Sequence, residues 1–506
     1  MKHCRLKTTL AGLLVTCMAF AVQSGDQNEL YAQLPFSMKK VVCPQFPDKT
    51  VDIRNFGAKG DGRTLNTDAI AKAIAQMHKA GGGTVVIPEG LWVTGPIELK
   101  SNVRLHTKRG AVVMFTDDFD RYPLVKTYYE GQEGWRNMSP LYACDATNIA
   151  ITGEGIFDGN GNAWRPVKKS NVTSYQWREF VESGGQLSSD GAVWYPTQRA
   201  LYGSQVRSEP RSRSMEQAMA IKEYLRPVLL NFIRCKTVMI EGPIFRNSPA
   251  WCLHPLLCEN LTIRNVMVEN ESWAANGDAI DVESCRNVII TDCSFDAGDD
   301  GICMKSGKDE EGRNRGVPTE NVIVSGCKVY NGHGGFVVGS EMSGGVRNVF
   351  VKDCQFIGTD NGLRFKSTRG RGGVVENIHI QNVLMANIKS DAILYDLYYG
   401  GRRVDADSLV KVSEITPSFR NIYMKDIVCK GARRAAIFQG LPEMKLKNIR
   451  LENAVIESDS GVDVVDAENI LFKNVSVYVK GKNPIIIHKE RDIIHQGLDS
   501  DLSVNK

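Results

Sequence analysis

From residue 259 onward the chain alternates apolar and polar residues in short runs, and the runs repeat. ENLTIRNVMV (259–268), RNVIITDCSF (286–295), ENVIVSGCKV (320–329), RNVFVKDCQF (347–356) and ENIHIQNVLM (376–385) follow one template. RNIYMKDIVC (420–429), KNIRLENAVI (447–456) and ENILFKNVSV (468–477) continue it, and SNVRLHTKRG (101–110) and TNIAITGEGI (147–156) are weaker early copies. The template asparagines at 260, 287, 321, 348 and 377 recur in steps of 27 to 34 residues. Alternation with a period of two predicts strands. Units this short cannot bury a face alone and must stack on one another. Leucine-rich spacing and propeller signatures are absent. The pattern therefore predicts an all-β chain with a single-domain right-handed parallel β-helix of roughly ten coils over residues 86–490. The recurrent asparagines are expected to bond from coil to coil at one turn. NTDAIAKAIAQMHKAGG (66–82) has the period of a helix instead, with a polar start and glycines after its end. It is expected to cap the N-terminal end of the solenoid within a cap region spanning 25–85. Residues 491–506 read as a tail.

Two features interrupt the pattern. Residues 165–226 do not repeat, and carry Trp177, Trp194, Tyr195 and Tyr202 with ten Lys or Arg against six acids. Insertions in solenoids emerge as loops on one face, often the binding face. The first residues, MKHCRLKTTLAGLLVTCMAFAVQSGDQ, read as a secretory signal over 1–24: a basic start, an apolar run and Ala19-Phe20-Ala21 as a cleavage site. The run is too short for a stable membrane span. Export to the periplasm or the exterior is expected. A net charge of +4 over 506 residues is too mild to argue for nucleic acid. Of thirteen cysteines, Cys293, Cys327 and Cys354 each follow a template asparagine by six residues. In-register parallel neighbours make poor disulfide geometry, so these read as buried, free thiols.

Aligning the coils on their asparagines brings chemistry together. Asp299, His333 and Asp360 each lie twelve residues after a template asparagine. Asp300, Gly334 and Asn361 follow, and DGI (300–302), GGF (334–336) and NGL (361–363) then match DAI (278–280) in the coil before. Strands stack about 4.8 Å apart. Asp278, Asp299, Asp300 and His333 thus share one surface within three coils. In the next strand Ile280, Ile302, Phe336 and Leu363 take one inward place. The outward places then read Asp281 and Glu283, Cys303 and Lys305, Val337 and Gly339, Arg364 and Lys366. Acids give way to bases over about 14 Å. Singly, paired aspartates could bind calcium or make a turn, His333 could be a turn residue, and Arg364 and Lys366 a solvated face. Their convergence points to an anionic substrate cleaved by acid–base chemistry. Crowded carboxyls cannot all ionise freely, so one is expected to keep a proton near neutral pH. A protonated acid and an ionised base flanking one bond is the glycosidase arrangement.

With NGD (276–278), GDD (298–300), GHG (332–334) and RFK (364–366) in this order, the chain resembles glycoside hydrolase family 28, the polygalacturonases. Gly277 stands where the family has threonine. The resemblance runs from about NFGAKGDG (55–62) to the last coils and implies hydrolysis of α-linked galacturonic acid with inversion. It implies Asp299 as general acid, Asp278 and Asp300 as the pair holding the attacking water, and His333 as the acid's partner. Arg364 and Lys366 would bind a galacturonate carboxylate. Asn276, His254 in NSPAWCLHP and Tyr399 in LYDLYYG are further expected substrate contacts. Neither a metal nor a cofactor is expected, and the implied partner is a galacturonate-containing polysaccharide or oligosaccharide met by a monomer. The insertion and GKDEEGRNRGVPTE (307–320) lengthen loops around the site, which favours exo cleavage. Endo cleavage, a galacturonate–rhamnose linkage, calcium-dependent elimination and non-catalytic pectin binding are the competing readings.

Overall fold

Each repeat closes into a coil because its apolar residues alternate inward while asparagine or aspartate turns the corners. The computed structural model describes residues 30–206, 213–401 and 410–493. The stretch read as a secretory signal and the residues after 493 lie outside these. Residues through Lys40 form one unit, and the chain from Val41 forms another, which contains all the coils. Its strands pair in parallel from coil to coil. The crossovers take the right-handed sense usual for parallel strands, making a right-handed parallel β-helix.

The corner asparagines Asn260, Asn287, Asn321, Asn348 and Asn377 all have φ between 54° and 57°. Asparagine tolerates this left-handed conformation better than most residues. Their side chains ladder as expected: Asn321 donates to Asn287 (3.3 Å), Asn348 to Asn321 (3.1 Å) and Asn448 to Asn421 (2.9 Å). The eleven described cysteines are free thiols, and Cys293, Cys327 and Cys354 are buried as expected.

One sheet matters for function. It contains eleven strands, among them Leu230–Ile233, Leu253–Leu256, Ile280–Glu283, Asp300–Lys305, Gly334–Val338, Leu363–Lys366 and Asp391–Asp396. Ile280 pairs with Ile302, Ile302 with Phe336, and Phe336 with Leu363, which is the register expected from the sequence. Inside the sheet, Phe365 stacks on Tyr395 at 4.5 Å and Tyr395 on Phe438 at 5.3 Å. Aromatic pairs of this kind add about 0.5–1.5 kcal/mol beyond their burial.

The helix Thr67–Lys79 buries Ile70, Ala73, Ile74 and Met77 in the same core as Ile53 and Val85. It packs against the first strands of the solenoid. Thr50–Asp52 already pairs in parallel with Gly83–Ile87, so the helix lies inside the first coil. At the other end Ile485–Ile487 and Arg491–Asp492 turn back antiparallel on Ala467–Val479. These short strands cover part of the last edge.

Two additions flank the functional sheet. The insertion folds into three short antiparallel strands, Val167–Lys168, Gln186–Leu187 and Val193–Tyr195, with helices Ser174–Glu182, Gln198–Gln205 and Met215–Ala220. A hairpin of Leu124–Tyr129 and Gln132–Asn137, not anticipated from the sequence, joins it. Among the described residues no helix is long and apolar enough to cross a membrane.

Candidate active site

Asp278, Asp299 and Asp300 each place a carboxylate oxygen within 4.8 Å of the other two. Backbone register explains the meeting. Asp300 begins its strand opposite Gly334, and the turns before Asp278 and Asp300 bond to each other, Gly298 N–H donating to Gly277 C=O at 2.9 Å. Gly277 has a steric reason. A Cβ there would stand 2.8 Å from Ala274 Cβ and 2.9 Å from its carbonyl oxygen. Gly332 has a conformational one, with φ of 75° just before His333.

The three acids sit in different surroundings. Asp300 is buried between Lys366 Nζ (2.7 Å) and Arg364 Nη1 (2.9 Å). Burial opposes its charge, but Lys366 and Arg364 outweigh burial and hold the carboxyl well below the usual range. Asp299 lies nearer the rim, facing His333 Nδ1 at 2.9 Å. That contact, more than any other, raises the His333 pKa. Asp278 is buried, and its Oδ1 has no hydrogen-bond partner among the described residues. Burial first, then Asp281 and Asp299, push its carboxyl well above the usual range. Burial thus raises the carboxyls of Asp278 and Asp281, the two deepest of these acids outside the Arg364–Lys366 grip. Depth decides it: Asp281 is fully buried and pushed up to about 8, against the pull of Lys305.

The remaining expected residues divide. Tyr399 does reach the site, its ring 5.0 Å from Lys366 Nζ and 5.7 Å from the Arg364 guanidinium. Lys366 is itself buried on Asp300, which leaves Arg364 and Tyr399 as the more accessible groups. Asn276 forms the turn before Asp278 and accepts from Arg226 Nη2 at 2.8 Å. His254 does not line the cleft. It is completely buried against Trp251, with Nε2 2.8 Å from Glu283 Oε2. Its place in the strand is outward, but the hairpin covers that part of the sheet: Tyr129 packs on Trp251, and Thr127 donates to Asn231 beside His254.

Several groups were missed. Lys305 and Glu341 form a buried pair at 3.0 Å behind the acids. Arg165 and Arg226, at the two ends of the insertion, clamp the segment that leads to Asp278. Arg165 meets Glu271 at 2.7 Å, and Arg226 donates to the carbonyls of Pro249 and Ala275. The outward register already held Lys305, but nothing in a linear pattern shows that a hairpin buries it.

A calcium ion would need free carboxylate oxygens, and both oxygens of Asp300 are taken by cations. Asp278, Asp299 and Asp300 are close enough to hold a metal ion together, but Asp300 would have to give up its two cations to join.

Known proteins resemble this chain over most of its length. Residues 212–460 match the profile of Glycosyl hydrolases family 28, and residues 50–191 match Rhamnogalacturonase A/epimerase, pectate lyase-like. A hyperthermoactive exopolygalacturonase of Thermotoga maritima, known from its crystal structure, is 34% identical with a TM-score of 0.73, over 89% of this chain and 97% of that one. The chain belongs to glycosyl hydrolase family 28. It is a glycoside hydrolase. Other similar proteins are a probable polygalacturonase of Vitis vinifera, 28% identical over 88% of this chain and 81% of that protein, and an exo-poly-alpha-D-galacturonosidase of Dickeya chrysanthemi, 29% identical over 69% of this chain and 57% of that one.

Proposed function

We propose that the protein removes terminal galacturonate from pectin-derived chains by inverting hydrolysis. The observation that carries this is Asp299 at the rim on His333 beside Asp300 locked by Arg364 and Lys366. Asp299 protonates the leaving oxygen. Asp278, with its unpartnered Oδ1, and Asp300 hold the attacking water, and Asp278 takes its proton. Arg364 uses one donor on Asp300 and keeps others for a substrate carboxylate.

The carboxylate spacing within 4.8 Å is shorter than the about 6.5–9.5 Å usual for inversion, and alone would suit a retaining pair. The state of Asp300 argues the other way. A carboxylate saturated by two cations is a weak nucleophile, whereas the free oxygen of Asp278 can only act on a small neighbour such as water. The exopolygalacturonase relatives and the two flanking additions support exo action. The basic and then apolar start of the chain supports export.

The test follows reducing ends and ultraviolet absorbance together on polygalacturonate, with and without chelator. Reducing ends without absorbance, unaffected by chelator, are expected. An absorbance rise abolished by chelator would make the reaction an elimination. Binding without product on homogalacturonan and rhamnogalacturonan fragments would remove the enzymatic reading of this site. Proton NMR of the first product should show the β-anomer, and an initial α-product would refute inversion.

A further inference from the structure

A column of turn residues runs past the acids along the rim, and the acid–base steps use only its first two members. Asp299, His333, Asp360 and Lys389 each lie twelve residues after a corner asparagine, at 287, 321, 348 and 377. The backbone stacks them in that order. His333 N–H donates to Asp299 C=O at 2.7 Å, Asp360 N–H to Gly332 C=O at 2.8 Å, and Lys389 N–H to Thr359 C=O at 3.0 Å. Asn361 Nδ2 also donates to His333 C=O at 2.9 Å. Acid and base therefore alternate from coil to coil. His333 Nδ1 is 2.9 Å from Asp299 Oδ1, and its Nε2 is 3.8 Å from Asp360 Oδ2. Lys389 Nζ stands 3.3 Å from Asp360 Oδ1. The imidazole thus lies between two carboxyls, one at each ring nitrogen. Asp300, closed over by Arg364 and Lys366, is the remaining acid near the ring. A neutral imidazole has one N–H and one lone pair. With the N–H turned to Asp360, the lone pair at Nδ1 faces Asp299 and accepts from a protonated carboxyl there.

We infer that Asp360 is a positioning residue that holds His333 through Nε2, so that Nδ1 and Asp299 Oδ1 keep one proton between them for the leaving group. The proton belongs to the pair: it rests as an Asp299 hydroxyl on a neutral imidazole, or as a carboxylate beside an imidazolium. A charge at Asp360 favours either form over the one that has lost this proton. In turnover the proton passes to the glycosidic oxygen as that oxygen leaves the anomeric carbon. An Asp299 carboxylate and a neutral imidazole remain, and solvent returns a proton after the product departs. Without Asp360 a neutral ring is free to carry its N–H on Nδ1 and donate to an ionised Asp299, which then has no proton to give. The upward shift of His333, due to Asp299 first and to Asp300 and Asp360 with it, agrees with this placement. The inference rests on the acid role proposed for Asp299.

Two measurements on the full chain test it. The first is a proton NMR titration of the His333 ring in the free protein, assigned against His333→Gln, which needs no activity. The second is steady-state kinetics on two galacturonides, one with a sugar leaving group and one with a strongly acidic leaving group. Asp360→Asn keeps the shape and removes the charge, and the side chain is 37% exposed, so the fold is expected to survive. It should lower the His333 midpoint by about half a unit, the scale of a partly exposed contact, and draw the basic limb of kcat/KM down with it. With the sugar leaving group kcat at neutral pH should fall about tenfold, less than the 10²- to 10⁴-fold effect of losing the acid itself, and KM should hardly change. With the acidic leaving group, which needs no proton, kcat should stay within about twofold of wild type. Asp360→Glu, which keeps the charge, should stay closer to wild type in midpoint and rate. A merely structural role for the turn would slow both substrates alike. An equal loss on both, or a midpoint that does not move, overturns the inference. If the wild-type chain cleaves no galacturonide, the functional reading fails separately, and the titration still decides whether Asp360 holds His333.

Discussion

Asp299 and Asp300 are sequence neighbours under opposite conditions. Asp300 starts a strand and is closed over by Arg364 and Lys366, while Asp299 ends the preceding turn and looks out at His333. Of the two, Asp299 is the one open to a leaving group. Asp299→Asn should therefore lower kcat by about 10²- to 10⁴-fold with oligogalacturonide affinity nearly intact. A substrate with a strongly acidic leaving group should recover much of that loss, while Asp278→Asn should not recover, because its work is on the water. Steady-state kinetics on paired substrates checks both. Asp281 gives a stability prediction. Its folded pKa of about 8 lies above the usual value of 3.8, so between those limits the folded state holds a proton that the unfolded chain has lost. Its contribution to stability is thus present below the unfolded pKa and is lost as pH rises through the folded one. Asp281→Asn should remove that loss, with its melting temperature gaining on wild type between pH 5 and pH 9. A difference independent of pH would contradict the burial argument.

Strands and turns carried most of the legible information. Alternation with a period of two, punctuated by asparagine, fixes which side chains point inward, and one register then places Asp278, Asp299, Asp300, His333, Arg364 and Lys366 together. What the repeat could not reveal lies in elements that do not repeat. The Leu124–Tyr129 and Gln132–Asn137 hairpin has no partner copy in the chain, yet it turns an outward face into an interior one. For that reason His254 is read from sequence as a cleft residue and is found buried on Glu283. Lys305 is read from the same register as an outward residue and is likewise found buried. The aromatic ladder makes the strand prediction sharp. Phe365 stacks between Arg364 and Lys366 in sequence and against Tyr395 in space, with Phe336 and Phe419 at 6.3 Å and 6.2 Å. Phe365→Ala should cost about 3–5 kcal/mol through lost burial and the cavity left behind. Because the flanking side chains grip Asp300, kcat should fall with stability even at temperatures where the variant is folded. Phe365→Leu should lose much less of both. Thermal unfolding alongside activity separates the two effects.

At the scale of the whole solenoid, the sheet bearing the acids would offer an open groove along its length if nothing crossed it. Two structures do. The insertion is tied to the segment just before Asp278 through Arg165–Glu271, through Arg226 on Ala275 and Asn276, and through the Phe180–Trp273 ring contact at 5.3 Å. The hairpin reaches the loop after Asp300, where Lys308 N–H donates to Gly131 C=O at 3.2 Å and the Arg315 guanidinium lies 5.1 Å from the Tyr128 ring. Both stand on the side of the early coils, whereas Arg364, Lys366 and Tyr399 lie in later ones. If these two elements wall the groove on one side, as the proposed exo action requires, a galacturonate chain lying across the acids would meet bases only on the other side and end at the wall. Monomeric galacturonate should accordingly appear from the first time points, with slow loss of viscosity. Replacing residues 174–205 by a short glycine–serine turn, while keeping Arg165 and Arg226, should open the wall without releasing the Asp278 segment. Early digests of that variant should shift towards mixed oligomers. Mixed oligomers from the wild type would show that the groove is open and the action endo. Monomer from both would place the wall in the hairpin instead, and the same sizing on a hairpin-shortened variant would then locate it.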